Sequence, residues 1–564
     1  MLDVPRRPPH TPAMLPVTRF PLIGRHEEFA ALSAALDAGK RGRGSVHVIS
    51  GEGGVGKTRL AEAVAERARE LGFATVTGRA FQVETGIPYA LFADAFVPVL
   101  RDMPPAALQT LSRGAATELS LLFPTLRAEG PAPRAGSADE LKPRLLDSFT
   151  QLLFRMAQRQ PALVVLENLH WADPSSIDLF HFVARSAPAH PLVLVATCND
   201  AQREGNRGLR AAEQSLGSLG VLHRHALPPL TAGETAELVQ AVFGEPREAM
   251  GDFADRVHAR ARGNPFFIEE TLKALVRAGR LVRAGERWTG WLTEQLGLPD
   301  SIRDALSSRY ERLSTAAQQV ALAAAVVGAQ VPHALLRRLV PLDEAALLGA
   351  VDELRRDRVL EELDAAGAPA YVFTHPMLQE MLYAEIGRAR VRLRHAEIAD
   401  ALEHMYGDSA LAHADELAVH FRRAESEAQA PRAIRYLTLA GENALGRGAN
   451  REAIESLGAA LALAQRDGDT PALEQLLDLL GRARHRLGDY AGAVELWGRA
   501  VTLCEARGDR RRVAQIERRL GVAALRVGDF ARALAHQARG LDAAVLAKDD
   551  VAEAGLHQIG RAHV

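Results

Sequence analysis

Cysteine is nearly absent, with two residues, Cys198 and Cys504, in a chain of 564. Two thiols so far apart cannot form the disulfide framework of a secreted module, so a reducing, cytoplasmic setting is expected. Aromatic residues are scarce at 5%, and alanine is abundant. Strand-rich sandwiches draw on aromatic and β-branched side chains, so this balance favours helices packed through small residues. Long apolar runs are missing too: the longest, Val320 to Ala329, is about half of the ~20 residues that a membrane span needs. The opening MLDVPRRPPHTPAMLP is broken by prolines and has no apolar signal core, which reads as a flexible leader over 1–19. Neither charge is in excess. Lys and Arg total 68 against 70 Asp and Glu, a net charge of −2, which leaves no whole-chain footprint for nucleic acid or an anionic membrane. What is present, 47% apolar and 24% charged residues over a length too great for one core, describes a globular chain of about three or four domains.

Between residues 20 and 230, short β-rich runs alternate with helical stretches, the pattern of a parallel sheet with helices on both faces. VHVIS (46–50), FATVTG (73–78), LVVLE (163–167) and LVLVATC (192–198) are the strand candidates, and the last two, apolar on both faces, are expected at the centre. AEGPAPRAGSADE (128–140) reads as a loop. Residues 231–297 read as a helical lid, opening on a capping box of Thr231 and Glu234. Residues 298–404 continue in helices interrupted by RVLEELDAAGAPAYVFTH, two β-like runs around a Gly-Ala-Pro turn. Helices followed by a hairpin suggest a winged helix, and with no basic recognition helix in it an intramolecular clamp is expected here.

From 405 to 564 the chain repeats itself. Gly441, Gly448, Ala453 and Ala460 recur 40 residues on as Gly481, Gly488, Ala493 and Ala500, and again as Gly521, Gly528, Ala533 and Gly540. Small residues at these spacings let paired antiparallel helices approach closely, and the second glycine turns the chain between them. A tetratricopeptide-like solenoid is expected, with a fourth repeat begun at residues 551–564. The closing IGRAHV also back-translates to a common sequencing-adapter sequence, so Ile559 to Val564 are expected to be non-native and the natural chain to continue.

The most specific chemistry lies in GEGGVGKT (51–58), between a strand and the helical run RLAEAVAERAREL, the context that a phosphate-binding loop requires. Gly51, Gly53, Gly54 and Gly56 let the backbone curl with its N–H groups inward. Lys57 would then meet the β and γ phosphates of ATP or ADP, and the Thr58 hydroxyl would ligate Mg2+. After the strand LVVLE, Glu167 can hold that Mg2+ through water. The next position is Asn168, an amide that can orient a water but cannot accept its proton, so a general-base contribution of about 10²–10⁴-fold should be missing. Asp173 would need a favourable turn to replace it. Thr197 and Asn199, ending the next strand, can hydrogen-bond a γ-phosphate.

Around these motifs the chain resembles, over about residues 20 to 564, the STAND class of signal-transducing P-loop ATPases within the wider AAA+ group. FPLIGRHEEFAAL (20–32) is similar to the opening block of that class, which implies a place near the adenine for Arg25. LENLHWADPSS is similar to its Walker B block, usually written with two aspartates. ARGNPFFIEE (261–270) resembles the lid segment whose proline, here Pro265, packs near the base. FTHPMLQEMLY (373–383) resembles the winged-helix block, which implies contact of His375 with the β-phosphate of ADP. In the class an arginine stands where Asn199 does. For each of these residues a structural role competes: a buried, hydrogen-bonded histidine at 375, a solvated loop arginine at 25, a helix start at Pro265, and packing and capping by His170 and Trp171.

The resemblance implies an ATP-binding switch with slow hydrolysis, in which a protein or small-molecule inducer acts through the repeats. It further implies a fragment of a LuxR-type transcriptional regulator, with DNA contacted only by a domain outside this chain, no membrane contact and possible ATP-dependent self-association. Two alternatives stand beside it: the regulatory module of a nucleotide cyclase or protein kinase, and a stand-alone repeat scaffold.

Overall fold

The computed structural model describes residues 20–112, 115–123, 138–285, 287–291, 307, 310–328, 330–365, 368–374, 376–467 and 470–549. A five-stranded parallel sheet, in the order β2-β3-β4-β1-β5, holds Ser45–Gly51 (β1), Ala74–Arg79 (β2), Ala162–Glu167 (β3), Leu192–Asn199 (β4) and Leu222–Ala226 (β5). The two most apolar runs do become interior strands, with β4 in the middle, and every residue of β3 is buried. β5, LHRHA, was not among the strand candidates. An edge strand leaves one side wet, and its polar side chains conceal it from a search for apolar runs. The 128–140 loop reading falls mostly outside the described residues, but Ala138 already begins the helix Ala138–Arg159.

Apolar cores fill both faces of the sheet. The scarce aromatics gather on one of them. Phe92, Phe96 and Phe123 all meet Phe149 edge to face, at ring centroid distances of 5.5, 5.0 and 5.6 Å, a geometry that adds quadrupole attraction to area burial. Beyond β5 the helices Ala232–Phe243, Phe253–Ala261 and Pro265–Arg277 form a small unit with its own core, entered through the Thr231 and Glu234 capping box. A hairpin of Val282–Ala284 (β6) and Arg287–Thr289 (β7) closes this unit where only helices were expected. It seats Trp288 and Trp291 against Phe243 and Phe253.

The next unit combines Thr315–Val327, His333–Leu339 and Glu344–Arg356 with an antiparallel sheet of Val331–Pro332 (β8), Leu360–Ala365 (β9) and Ala368–Phe373 (β10). The helix Pro376–Glu385 follows. One continuous apolar core runs from this unit into the repeats.

Three antiparallel helix pairs follow: Ala430–Gly446 with Asn450–Asp467, Thr470–Arg486 with Tyr490–Arg507, and Arg510–Arg526 with Phe530–Ala547. The repeated glycines separate into two uses. Gly448, Gly488 and Gly528 take φ of +69°, +82° and +78°, the left-handed turn between paired helices. Gly441 and Gly481 sit at helix crossings, where an added Cβ would run into Leu457 and Trp497. Gly521 has more room, with its nearest neighbour 3.5 Å from such a Cβ.

Single polar contacts tie the solenoid to the sheet domain. Ser175 N donates to Glu452 Oε1 at 2.8 Å and Tyr89 Oη to the Arg447 carbonyl at 3.2 Å. Arg423 donates to the carbonyls of Gln82 and Val83 at 2.8 and 3.2 Å.

Gly441→Ala is expected to lower stability by about 1–3 kcal/mol through overpacking. Gly458→Ala, with open space around it in the same helix pair, is expected to raise it by about 0.5–1 kcal/mol. Urea midpoints of the two variants check the opposite signs.

Candidate nucleotide-binding site

A cavity of about 460 Å³ lies over the carboxyl ends of β1 and β4, bounded by residues of the opening block, residues 53–59, the lid and the unit that carries β9 and β10. Its size is that of a small-molecule site. The ends of parallel strands are where a loop can turn its N–H groups toward a ligand.

The floor is the loop 51–58. Gly51, Gly54 and Gly56 take φ of +149°, +79° and +102°, and Gly56 caps the helix Lys57–Glu70, whose N-terminus points at the cavity. Side chains are excluded at Gly54 for a second reason: a Cβ there would come within 2.8 Å of Asn264 Oδ1 and 2.9 Å of Phe266 Cβ. Gly53 and Thr58 line the cavity beside them. Lys57 Nζ donates to the carbonyls of Gly51 and Glu52 at 2.9 and 2.7 Å. Burial lowers its pKa to about 8 against the opposing pull of Cys198, Asp200, Glu380 and Glu52. A desolvated ammonium at a helix N-terminus fits an anion, and the curled loop fits the phosphates of a nucleotide.

Arg25 is not a solvated loop residue. It is 4% exposed and donates to the carbonyls of Gly24, Val55 and Pro228 at 3.0, 3.2 and 2.6 Å, tying the opening block to the loop and to the chain after β5. The lid is pinned to the same loop. Asn264 Nδ2 donates to the Gly53 carbonyl at 2.9 Å and Phe266 N to the Gly54 carbonyl at 3.2 Å. Asn264 also caps the helix Pro265–Arg277, so Pro265 both starts that helix and lines the cavity.

At the end of β3 the acids are all engaged elsewhere. Arg79 binds Glu167 Oε2 through Nη2 at 2.7 Å and Nε at 2.8 Å, and Arg79, not Glu167, lines the cavity. Asn168 adopts a left-handed backbone, φ +58°, which asparagine tolerates better than most residues. Its N–H donates to Thr197 Oγ1 at 3.0 Å and its amide to the Ala80 carbonyl at 3.4 Å. An amide at 168 therefore has a donor role that a carboxylate lacks. Asp173 is buried as the cap of the helix Pro174–Ser186, accepting from Ser176 N and Tyr89 N, both at 2.9 Å. Burial, then the Glu452 carboxylate, push its pKa above the usual range. It does not reach the cavity. Asn199 does, while its side chain caps Asp200–Arg203 and its N–H donates to His170 Nδ1 at 3.1 Å. Burial and the Lys57 charge lower His170 to about 4 and keep it neutral, with Trp171 tilted against it.

The sheet domain, the lid and the unit with β9 and β10 meet at this cavity, and Thr58, which would ligate Mg2+ in the motif, is among its lining residues. Glu167 would share its carboxylate between Arg79 and Mg2+. His375 lies outside the described residues. Arg79, Gln202 and Arg358 also line the cavity and carried no sequence motif, and Glu380 lies within the FTHPMLQEMLY block but was not singled out there. Of the first three, only Arg79 had a signal, its register directly opposite Glu167 on the neighbouring strand.

Lys57→Ala is expected to weaken ADP binding by about 100-fold, the size of lost charge-assisted hydrogen bonds, without loss of fold. Wild-type affinity is expected to stay flat below pH 7 and to fall as pH rises through about 8, where the ammonium deprotonates. Fluorescence titration with a labelled ADP across pH checks both.

Residues 21–195 match the family model described as AAA ATPase domain. An uncharacterised protein of Rhizobium meliloti is 28% identical over 493 residues, 80% of this chain and 44% of its own length. The peroxide stress-activated histidine kinase mak3 of Schizosaccharomyces pombe is 21% identical over 61% of this chain and 15% of its own. The chain spans less than half the length of these curated relatives. Among solved structures, a STAND protein with a tetratricopeptide repeat sensor from Pyrococcus horikoshii covers 97% of this chain and 81% of its own, at 13% identity and a TM-score of 0.41. With its glycine loop, half-buried lysine and parallel sheet in place, the segment 21–195 is an AAA ATPase domain.

Proposed function

We propose that this chain is a nucleotide-gated regulatory module of the STAND kind, which binds ATP and ADP with Mg2+ tightly and hydrolyses ATP slowly. The observation that carries it is the absence of a free carboxylate at the end of β3 among the described residues. Glu167 is paired with Arg79, Asn168 is an amide bonded to a carbonyl, and Asp173 caps a helix. General-base assistance from the end of β3 is then missing, and in this reading the nucleotide serves to set an arrangement of domains.

Two contacts support coupling to the repeats. The unit with β9 and β10, a winged-helix-like clamp in this reading, lines the nucleotide cavity, and Glu452 of the first helix pair accepts from Ser175, eight residues after Glu167. An inducer bound to the solenoid would act through that junction. For the output we propose a LuxR-type DNA-binding domain outside this stretch of chain, after the regulators that the motif set resembles. A second reading, the regulatory module of a signalling kinase, is favoured by the match to mak3. Native gene sequence on either side separates the two: a helix-turn-helix selects the first, a kinase catalytic domain the second.

Steady-state ATP turnover is expected below about one per second, at the low end of enzyme rates, and Asn168→Asp is expected to raise it about tenfold or more. Phosphate-release assays test this, and a wild-type rate of several per second would sink the reading. Glu452→Ala, which leaves a buried N–H unpaired at about 1–3 kcal/mol, is expected to loosen the junction and speed limited proteolysis there. An unchanged cleavage pattern would remove that junction from the coupling.

A further inference from the structure

The helix Pro376–Glu385 brings an acid to the phosphate loop. Glu380 lines the cavity together with Lys57, Asn199 and Gln202. Gln202 Nε2 donates to Glu380 Oε2 at 3.2 Å, so the carboxylate is held by a neutral amide. The adjacent Gln379 donates to the carbonyls of Ala325 and Gly328 at 3.4 and 3.0 Å, which fixes the rotation of the helix. Leu378, Met381 and Leu382 of the same helix belong to the apolar core shared with the repeats. Burial raises the Glu380 pKa, and the charge of Lys57 opposes that shift.

A loop that gathers N–H groups and one ammonium is built for negative oxygens, and a carboxylate at the same place competes for that field. Each added phosphate charge meets it at greater cost. We propose that Glu380 sets the nucleotide preference of this closed arrangement: its carboxylate shares the phosphate end with Lys57, admits a diphosphate and opposes the further charge of a triphosphate. ATP then binds by displacing Pro376–Glu385, and the shared apolar core carries that displacement to the solenoid. The inference rests on the reading of the cavity as a nucleotide site.

The test compares dissociation constants of a labelled ADP and a labelled non-hydrolysable ATP analogue, both with Mg2+, for the full chain and its Glu380→Gln and Glu380→Ala variants. Thermal melts identify the variants that fold, and either one decides. The wild type is expected to prefer the diphosphate. Removing the charge is expected to raise triphosphate affinity about tenfold, half or less of a close charge pair at an effective dielectric near 20, with little change for the diphosphate. Glu380→Asp, which keeps the charge, is expected to keep the preference. If both affinities shift equally, or neither does, Glu380 does not set the preference. If triphosphate affinity is unchanged and only single-turnover hydrolysis falls, Glu380 is a base and the proposal is overturned. A wild-type protein that binds neither nucleotide overturns the site reading itself.

Discussion

A half-buried ammonium is the constraint around which this molecule is arranged. Lys57 must leave water to reach a ligand held in a curled backbone loop, and desolvation lowers its pKa to about 8 even against the raising effect of the nearby acids. Such a charge is tolerable only where dipoles and anions face it. The two loop carbonyls it touches, the acids Asp200, Glu380 and Glu52 around it, and the helix N-terminus that would receive an anion beside it all answer that one requirement. The same requirement explains why the lid and the opening block bind the loop through its outward carbonyls. Arg25, Asn264 and Phe266 satisfy the Val55, Gly53 and Gly54 carbonyls and leave the inward N–H groups to a ligand.

The junctions between bodies differ in kind. The unit with β9 and β10 and the helix pairs share one apolar core, and separating them would expose it. The sheet domain meets the helix pairs and the helix before them through a junction that buries Tyr89, Ser175 and Glu452 and carries hydrogen bonds from Ser175, Tyr89 and Arg423, each worth on the order of 1 kcal/mol. The two junctions therefore differ in the share of polar groups they bury: the first is an apolar core, and the second buries Glu452 and Asp173 beside Tyr89.

Much of this was legible in the sequence because it depends on local backbone needs. A loop requiring positive φ shows as glycines, a fully buried strand as a run of apolar residues, and a tight helix crossing as glycine at a fixed period, as at Gly441 and Gly481. The helical lid was legible as far as its capping box, but its closing hairpin was not, because three-residue strands carry no periodicity. What stayed hidden depends on residues far apart in the chain. The block around Glu380 pointed to the phosphates only through a resemblance and did not single out this acid, and nothing near Ser175 announces Glu452. The pairing of Arg79 with Glu167 lies between these cases: it follows from a parallel register, once the neighbouring strands are known.

Asn168 shows how one local geometry settles a chemical question. The chain turns sharply after β3, into a left-handed residue whose N–H and amide both donate, to Thr197 and Ala80. Aspartate could adopt the same backbone, but its carboxylate would face a carbonyl and be driven toward the cavity. The amide keeps the turn satisfied and places no carboxylate at this position. Because Glu167 is neutralised by Arg79 one residue earlier, the end of β3 presents donors and a cation to the cavity and no acid. The end of β3 thus contributes charge stabilisation to the phosphate end of the cavity and no group that could accept a proton from water.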